Sequence, residues 1–272
     1  MTSPRDRSLE GLCLRCGPLG ENDRLLTLLS ADEGLIRLAA SGARRPRSSL
    51  AAAGPLTHLR AQVQQQGQGL GRLRQATVLR SYTRLGQQLD SLAAAQWLLE
   101  LTQQLVPEGQ SLPGLLPLLL HRLGQLEDLL ELEPPVLRQE ALALAVQGGV
   151  QLLGIGGFGL PLHTELPSGA ALLPPIGDWS WRCSLLPAEG FYAHRHPGAV
   201  LLLNASEMAL LQRLSRPQLP RKASGELMGP TPVWERLLDL LGFWCREHLG
   251  RSPRSLALLR QDSPAAAMRK TG

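Results

Sequence analysis

The sequence predicts an α+β chain of more than one domain: a small β-barrel first, then a helical domain interrupted by a small β-like insert. Three observations carry this. At 272 residues the chain is longer than one hydrophobic core usually serves. Its apolar residues alternate at strand spacing up to Tyr82 and at helical spacing afterwards. Its charge is also divided along the chain. Residues 1–85 hold thirteen Arg against six Asp/Glu, a net of +7; residues 86–220 net −6; residues 221–272 net +4. A hydrophobic share of 43% with 19% charged residues fits a folded chain rather than a disordered one.

Five strands are expected in the first 82 residues. "LEGLCLRCG" (9–17) sets Leu12 and Leu14 on one face and ends at a Gly-Pro turn. "DRLLTLLS" (23–30) and "GLIRLAAS" (34–41) flank "ADEG", a turn sequence. The first of these leucine-rich runs also fits a helix. "THLRAQVQQQ" (57–66) alternates Leu59, Ala61 and Val63 with polar residues, and "GQGLG" leads to "RLRQATVLRSY" (72–82). Five short strands at close spacing fit a small barrel.

Helices follow. They are expected over 86–105, over 111–130 with Ser111 as N-cap, and over 134–149 with Pro at the front and Gly at the back. Residues 160–203 break the helical pattern with prolines, glycines and the aromatics Trp179, Trp181, Phe191 and Tyr192. Helix resumes over 206–215, capped by Ser206, and over 231–250, stopped by glycine. The domain boundaries read as 1–82, 83–159, 160–203 and 204–272.

Enzymatic and metal motifs do not assemble. "GIGGFG" (154–159) has the letters of a dinucleotide loop, but a helix precedes it where a strand should, so it reads as a helix terminator. Cys13 and Cys16 form half a zinc knuckle, yet residues i and i+3 of a strand point to opposite faces. His194, His196, His163 and Cys183 supply ligand types without a ligand spacing. No nucleophile–base or paired-carboxylate pattern stands out, so no catalytic residue and no cofactor are expected. The N-terminus lacks an apolar signal core, and the leucine-rich 114–132 is too short and too polar to span a bilayer. A cytoplasmic protein with no membrane partner is expected.

The remaining feature is "SGARRPRSSL" (41–50). Positioned arginines bind a phosphate backbone by releasing counterions, and the planar guanidinium pairs phosphate oxygens two at a time. Arg44, Arg45 and Arg47 fall in a loop between strands. Arg24 and Arg37 fall on neighbouring strands, and Arg72 and Arg74 on a later one. On a small barrel the seven could converge on one groove, although an ordinary solvated loop would carry the same charge.

The stretch 20–50 resembles the N-terminal signature of the RecO family of bacterial recombination mediators, through Gly20, Glu21, Asp23, Arg24, Gly34, Gly42, Ala43, Arg44, Arg45, Pro46 and Ser48. "EHLGRSPRSLALL" (247–259) is similar to the family's C-terminal segment through His248, Gly250, Arg251 and Ser255. The resemblance implies an N-terminal OB-fold, a helical domain and a zinc-finger-like insert. It implies a non-enzymatic protein of the nucleoid that binds single- and double-stranded DNA and anneals complementary strands. It also implies help in loading RecA onto DNA coated by single-strand binding protein (SSB), together with RecR. Many members carry four zinc cysteines in the insert. Here Ala193 and His196 stand where a C-x-x-C is expected, so no zinc is expected, and tryptophans and leucines are expected to hold the insert together. The alternatives are an adaptor whose barrel binds proteins, and an enzyme using a metal or a nucleotide.

Overall fold

The structure, a computed structural model, describes residues 5–65 and 70–260. The turn expected at 67–71 and the chain beyond Arg260 lie wholly or partly outside the described residues. The residues up to Gln87, with Leu99–Asp128, cluster as one compact unit; Gln88–Leu98 and the residues from Leu129 onward cluster as a second.

The first unit contains a closed five-stranded barrel. Its strands are β1 (Arg5–Leu19), β2 (Asp23–Ser30), β3 (Gly34–Ala40), β4 (Thr57–Gln65) and β5 (Gly71–Ser81). The order around the barrel is β1-β2-β3-β5-β4, and β1 pairs with both β2 and β4. Closure comes from a short parallel contact, Leu38 with Gly71 and Ala39 with Arg72. This is the five-stranded Greek-key arrangement of an OB-fold. Alternation puts Leu9, Cys13, Leu26, Leu28, Leu38, Leu59, Val63 and Leu73 inside. Each fully buried leucine contributes roughly 1.5–3 kcal/mol.

The first strand can serve two neighbours because of Gly11, which pairs with Ser30 and with Leu59. A Cβ there would sit 2.5 Å from the Leu29 carbonyl oxygen. A register shift between Cys13 and Arg15 then re-aims the strand. That bulge corrects the sequence expectation for the two cysteines. Cys13 lies in the barrel core and Cys16 packs against the same core, where a regular strand would have separated them. Burial pushes the Cys13 thiol up to about 12, and raises that of Cys16, so neither is a ready thiolate.

The unit also holds α2 (Leu115–Asp128), which buries Leu115, Leu119, Leu123 and Leu126 along one stripe. Ser111 does not cap it. Pro113 disfavours helix at Leu112, and Gly114 turns left-handed at φ 85°, so the helix begins only at Leu115. The preceding segment lies against β3: Leu35 bridges Glu108, and the Gly109 N–H donates to the Leu35 carbonyl at 3.1 Å.

The second unit is built on α3 (Pro134–Ile155), nearly every residue of which is buried from Glu140 to Leu153. It runs past the expected stop because Gly148 and Gly149 are packing positions: a Cβ on Gly149 would lie 2.9 Å from a Leu241 methyl. Its end falls in "GIGGFG", with Gly156 as C-cap and Gly157 at φ 82°. The first part of α1 (Leu89–Leu105) packs here too, with the Trp97 Nε1–H donating to the Ala145 carbonyl at 3.0 Å. Next come β6 (Cys183–Leu186), β7 (Gly190–Tyr192) and β8 (Leu201–Leu203), a sheet in the order β7-β6-β8. Then follow α4 (Ala205–Arg213), α5 (Thr231–Leu249) and the short α6 (Leu256–Leu259). Asn204, not Ser206, caps α4, because its side chain and Glu207 exchange bonds with each other's backbone N–H at 2.9 Å. Among the described residues no helix is long and apolar enough to cross a membrane.

Candidate nucleic-acid interface

The arginine loop is a folded cap over one end of the barrel. After Ala40 the chain turns at Gly42 (φ 69°), whose N–H donates to Asp23 Oδ1 at 2.7 Å. The Arg44 N–H donates to the Asn22 carbonyl at 2.9 Å, and its guanidinium to the Gly20 carbonyl at 3.3 Å. The loop therefore leans on the β1–β2 turn. Successive turns bring Ala43, Leu50 and Ala53 into the barrel core, and the Leu56 N–H returns to the Cys13 carbonyl at 3.0 Å. With its apolar residues turned in, the loop leaves Arg45 and Arg47 exposed, without a side-chain partner among the described residues. Arg47 holds a left-handed backbone (φ 60°), an uncommon state for a residue with a side chain.

Arg24 belongs to the inward-pointing set with Leu26 and Leu28, but lies at the barrel mouth. It donates to the Ala51 carbonyl at 3.1 Å, so it braces the cap from below.

The other three arginines lie elsewhere. Arg37 points outward from β3, more than half exposed, 3.7 Å from Glu108. Arg72 and Arg74 are exposed on the outer face of β5; Arg72 has no side-chain partner among the described residues, and Arg74 bonds Gln64. The seven candidates thus fall into two groups. Arg24, Arg44, Arg45 and Arg47 gather at the capped end toward β2, while Arg37, Arg72 and Arg74 lie on the wall of β3 and β5. The register sets Arg24 opposite Ala40 and Arg72 opposite Ala39, so the two groups adjoin across the end of β3.

The sequence reading missed Arg60. It lies on β4 in the outward set His58, Arg60, Gln62, Gln64, opposite Thr77 of β5. The alternation in "THLRAQVQQQ" contains the signal, since Leu59, Ala61 and Val63 must face inward. The wall is edged by acids: Glu10 is 3.7 Å from Arg60, and Glu127 of α2 is 2.8 Å from Arg80.

The insert offers no comparable site. Among the described residues no three His, Cys, Asp or Glu side chains converge as metal ligands. Burial pushes the Cys183 thiol up to about 12. His194 and His196 lie against the Tyr192 ring, with centroids 5.7 and 4.9 Å away, and His196 Nδ1 accepts the Gly198 N–H at 3.1 Å. Leu172, Cys183, Leu185, Phe191 and Leu203 are buried, whereas Trp179 is 87% exposed. The tryptophan at 179 therefore plays no part in holding the insert. The Ser184 hydroxyl ties β6 to the following turn, donating to the His194 carbonyl at 2.7 Å and accepting the His196 N–H at 2.9 Å.

Two family models match the chain: Recombination protein O N terminal over residues 5–82, and Recombination protein O C terminal over residues 86–257. A DNA repair protein RecO of Synechococcus sp. (strain WH7803) is 57% identical over 263 residues, covering 97% of each chain. One from Prochlorococcus marinus (strain MIT 9303) is 54% identical, covering 94% of this chain and 95% of its own. One from Trichodesmium erythraeum (strain IMS101) is 31% identical, covering 92% of both.

Proposed function

Because the chain belongs to the recombination protein O (RecO) family of DNA repair proteins, we propose that it works by binding DNA rather than by catalysing a reaction. It binds single- and double-stranded DNA through the barrel arginines and anneals complementary strands. With RecR, it helps RecA load onto SSB-coated DNA in the cytoplasm, at the nucleoid. The acidic helical domain holds the protein partners.

One observation carries the reading. Arg45 and Arg47 are held outward on a folded cap, and among the described residues no carboxylate neutralises them. The cap backbone is held by its own hydrogen bonds, so only side-chain freedom is left to lose, and without an internal ion pair each guanidinium has nothing to break before it meets a phosphate. No metal-ligating cluster of Cys, His or carboxylates stands beside it among the described residues.

The test is a titration of a single-stranded oligonucleotide at several salt concentrations. For a single strand, each phosphate that the protein no longer neutralises reduces the salt slope by about 0.7. Replacing Arg44, Arg45 and Arg47 by Ala is expected to lower the slope by about 2 and the affinity on the order of 10- to 100-fold at moderate salt. Wild-type affinity and slope in the triple variant would overturn the site. If the wild-type chain retains no single strand in filter binding at low salt, the adaptor reading replaces this one. Annealing of SSB-coated complementary oligonucleotides tests the mediator role directly.

A further inference from the structure

We propose that the barrel holds a single strand by its backbone alone, with the bases turned away from the protein and free to pair. This rests on the DNA-binding reading above and adds how the bound strand is presented.

Strand pairing joins the arginines into one surface. Arg24 stands opposite Ala40 and Arg72 opposite Ala39, so the cap and β5 adjoin across the end of β3. Beyond β5, Gln64 of β4 stands opposite Arg72, Gln62 opposite Gln75, and Arg60 opposite Thr77. In the order β2-β3-β5-β4, three strand spacings separate the ends, about 14 Å around the barrel. The surface offers guanidinium groups with neutral amides and a hydroxyl between them. Both kinds of group meet phosphate and sugar oxygens without repelling them. Carboxylates border it: Asp6 and Glu10 of β1 beside β4, and Glu108 beside Arg37.

The side chains missing from this surface decide how a strand lies on it. Sites that hide the bases of a single strand stack them on aromatic rings. Residues 1–88 contain one Phe, Trp or Tyr, which is Tyr82. Tyr82 is 2% exposed, and the Arg80 guanidinium lies over its ring, 4.7 Å from the centroid. His58 is held beside Glu10 and is mostly buried. Val78 and Leu79, the exposed apolar residues of β5, are aliphatic. A guanidinium can also stack on a base, but a phosphate competes for it with a full charge. The phosphates therefore face the barrel and the bases face solvent.

This arrangement suits annealing. The Watson–Crick edges stay open to a second strand while the first is held. A duplex keeps the phosphates that the arginines grip, so the first strand need not be released before it pairs.

The test removes the bases. Full-length protein is titrated with an oligothymidylate of about 12 nucleotides, within the span of one OB-fold site, and with a chain of the same length whose bases are replaced by abasic units. The abasic chain should bind within about fivefold of the oligothymidylate and with the same salt slope, because losing even one stacked base weakens binding by roughly fivefold or more. Binding weaker than that overturns the proposal. Thymines of the bound strand should also keep the permanganate reactivity of the free strand; protection on the order of fivefold or more at any thymine overturns the proposal as well. The R60Q/R72Q/R74Q variant should lower the salt slope of both chains by about 2. All three side chains are exposed, so glutamine is expected to leave the fold intact. An unchanged slope in this variant takes β4 and β5 out of the path and overturns the single surface. Failure of the DNA-binding reading looks different, because neither chain would then bind at low salt.

Discussion

The cap of the barrel and the helical domain use arginine in different ways. In the helical domain Arg138, Arg221 and Arg236 are paired with carboxylates. Arg221 makes two bonds to Glu140 at 2.7 and 2.8 Å, Arg236 bonds Glu207 at 2.8 Å, and Arg138 bridges Asp90 and Glu235 at 3.0 and 3.1 Å. On the barrel, Arg45, Arg47 and Arg72 face solvent without such partners among the described residues, and Arg24, Arg44 and Arg74 bond to carbonyl or amide oxygens. The barrel has ion pairs of its own, Arg7 with Glu33 at 2.7 Å and Arg80 with Glu127 at 2.8 Å, but its cap leaves Arg45 and Arg47 aimed outward. Total charge hides this difference, and the sequence hints at it only as a net charge per segment.

The largest expected effect separates the two regions by stability. Trp97 is fully buried in the helical domain and its Nε1–H is bonded. Trp97→Ala should cost about 3–5 kcal/mol in urea unfolding, through the cavity and the stranded Ala145 carbonyl. Removing the exposed Arg72 should change stability by no more than about 0.5 kcal/mol. If the two variants unfold alike, the contrast between a packed body and an outward-facing barrel surface fails.

The next effect lies at the hairpin that supports the wall. Gly34 has φ 67°, and a Cβ there would sit 1.9 Å from the Gln110 carbonyl oxygen. Gly34→Ala should cost about 2–4 kcal/mol, combining backbone strain with a clash that must push the 106–110 segment away. Since that segment carries Glu108, the variant should also bind DNA differently from wild type at low salt. Wild-type unfolding midpoints would show that the segment yields freely.

A third variant tests the ion pairs themselves. Glu140 is nearly buried while Arg221 is 42% exposed, so Arg221→Ala strands a carboxylate away from water. About 1.5–3 kcal/mol should be lost, with single-strand affinity unchanged. A loss below about 0.5 kcal/mol would place this pair with ordinary surface bridges.

Much of this contrast was legible beforehand. The strands could be read because apolar Leu59, Ala61 and Val63 alternate with polar residues in β4 and turn sequences separate the other runs, and the cap arginines because they crowd a loop that must lie outside the core. What stayed hidden depended on events that sequence spacing does not encode. The bulge after Cys13 rotates the strand and brings Cys16 to the core side. Asn204 outcompetes Ser206 as a cap because Glu207 is placed to answer it. That Arg72 stands across the end of β3 from Arg24 follows from the pairing of β3 with both β2 and β5, a fact of topology rather than of local pattern. Trp179 looked like core because tryptophan usually is, yet its neighbours Pro174, Pro175 and Gly177 keep that loop at the surface.

The smallest effect is a dependence on pH at the edge of the wall. His58 points outward from β4 but is only 13% exposed; its Nε2 lies 3.0 Å from Glu10 Oε1, and Arg80 stands opposite it on β5. Burial pulls its pKa below the ordinary 6.5, while the Glu10 carboxylate acts in the other direction. The folded chain therefore takes up this proton later than the unfolded chain does. The stability contributed by neutral His58 is complete above pH 6.5 and is lost as pH falls through the folded-state pKa. Removing the counterweight should enlarge that loss: Glu10→Gln should lose more stability than wild type between pH 7.5 and pH 5, after allowance for the carboxylate's own titration. His58→Gln should lose less. The comparison is made by urea unfolding at the two pH values. An equal loss in all three proteins would mean that burial of His58 is relieved before its proton arrives, and that the edge of the wall is as open to water as its centre.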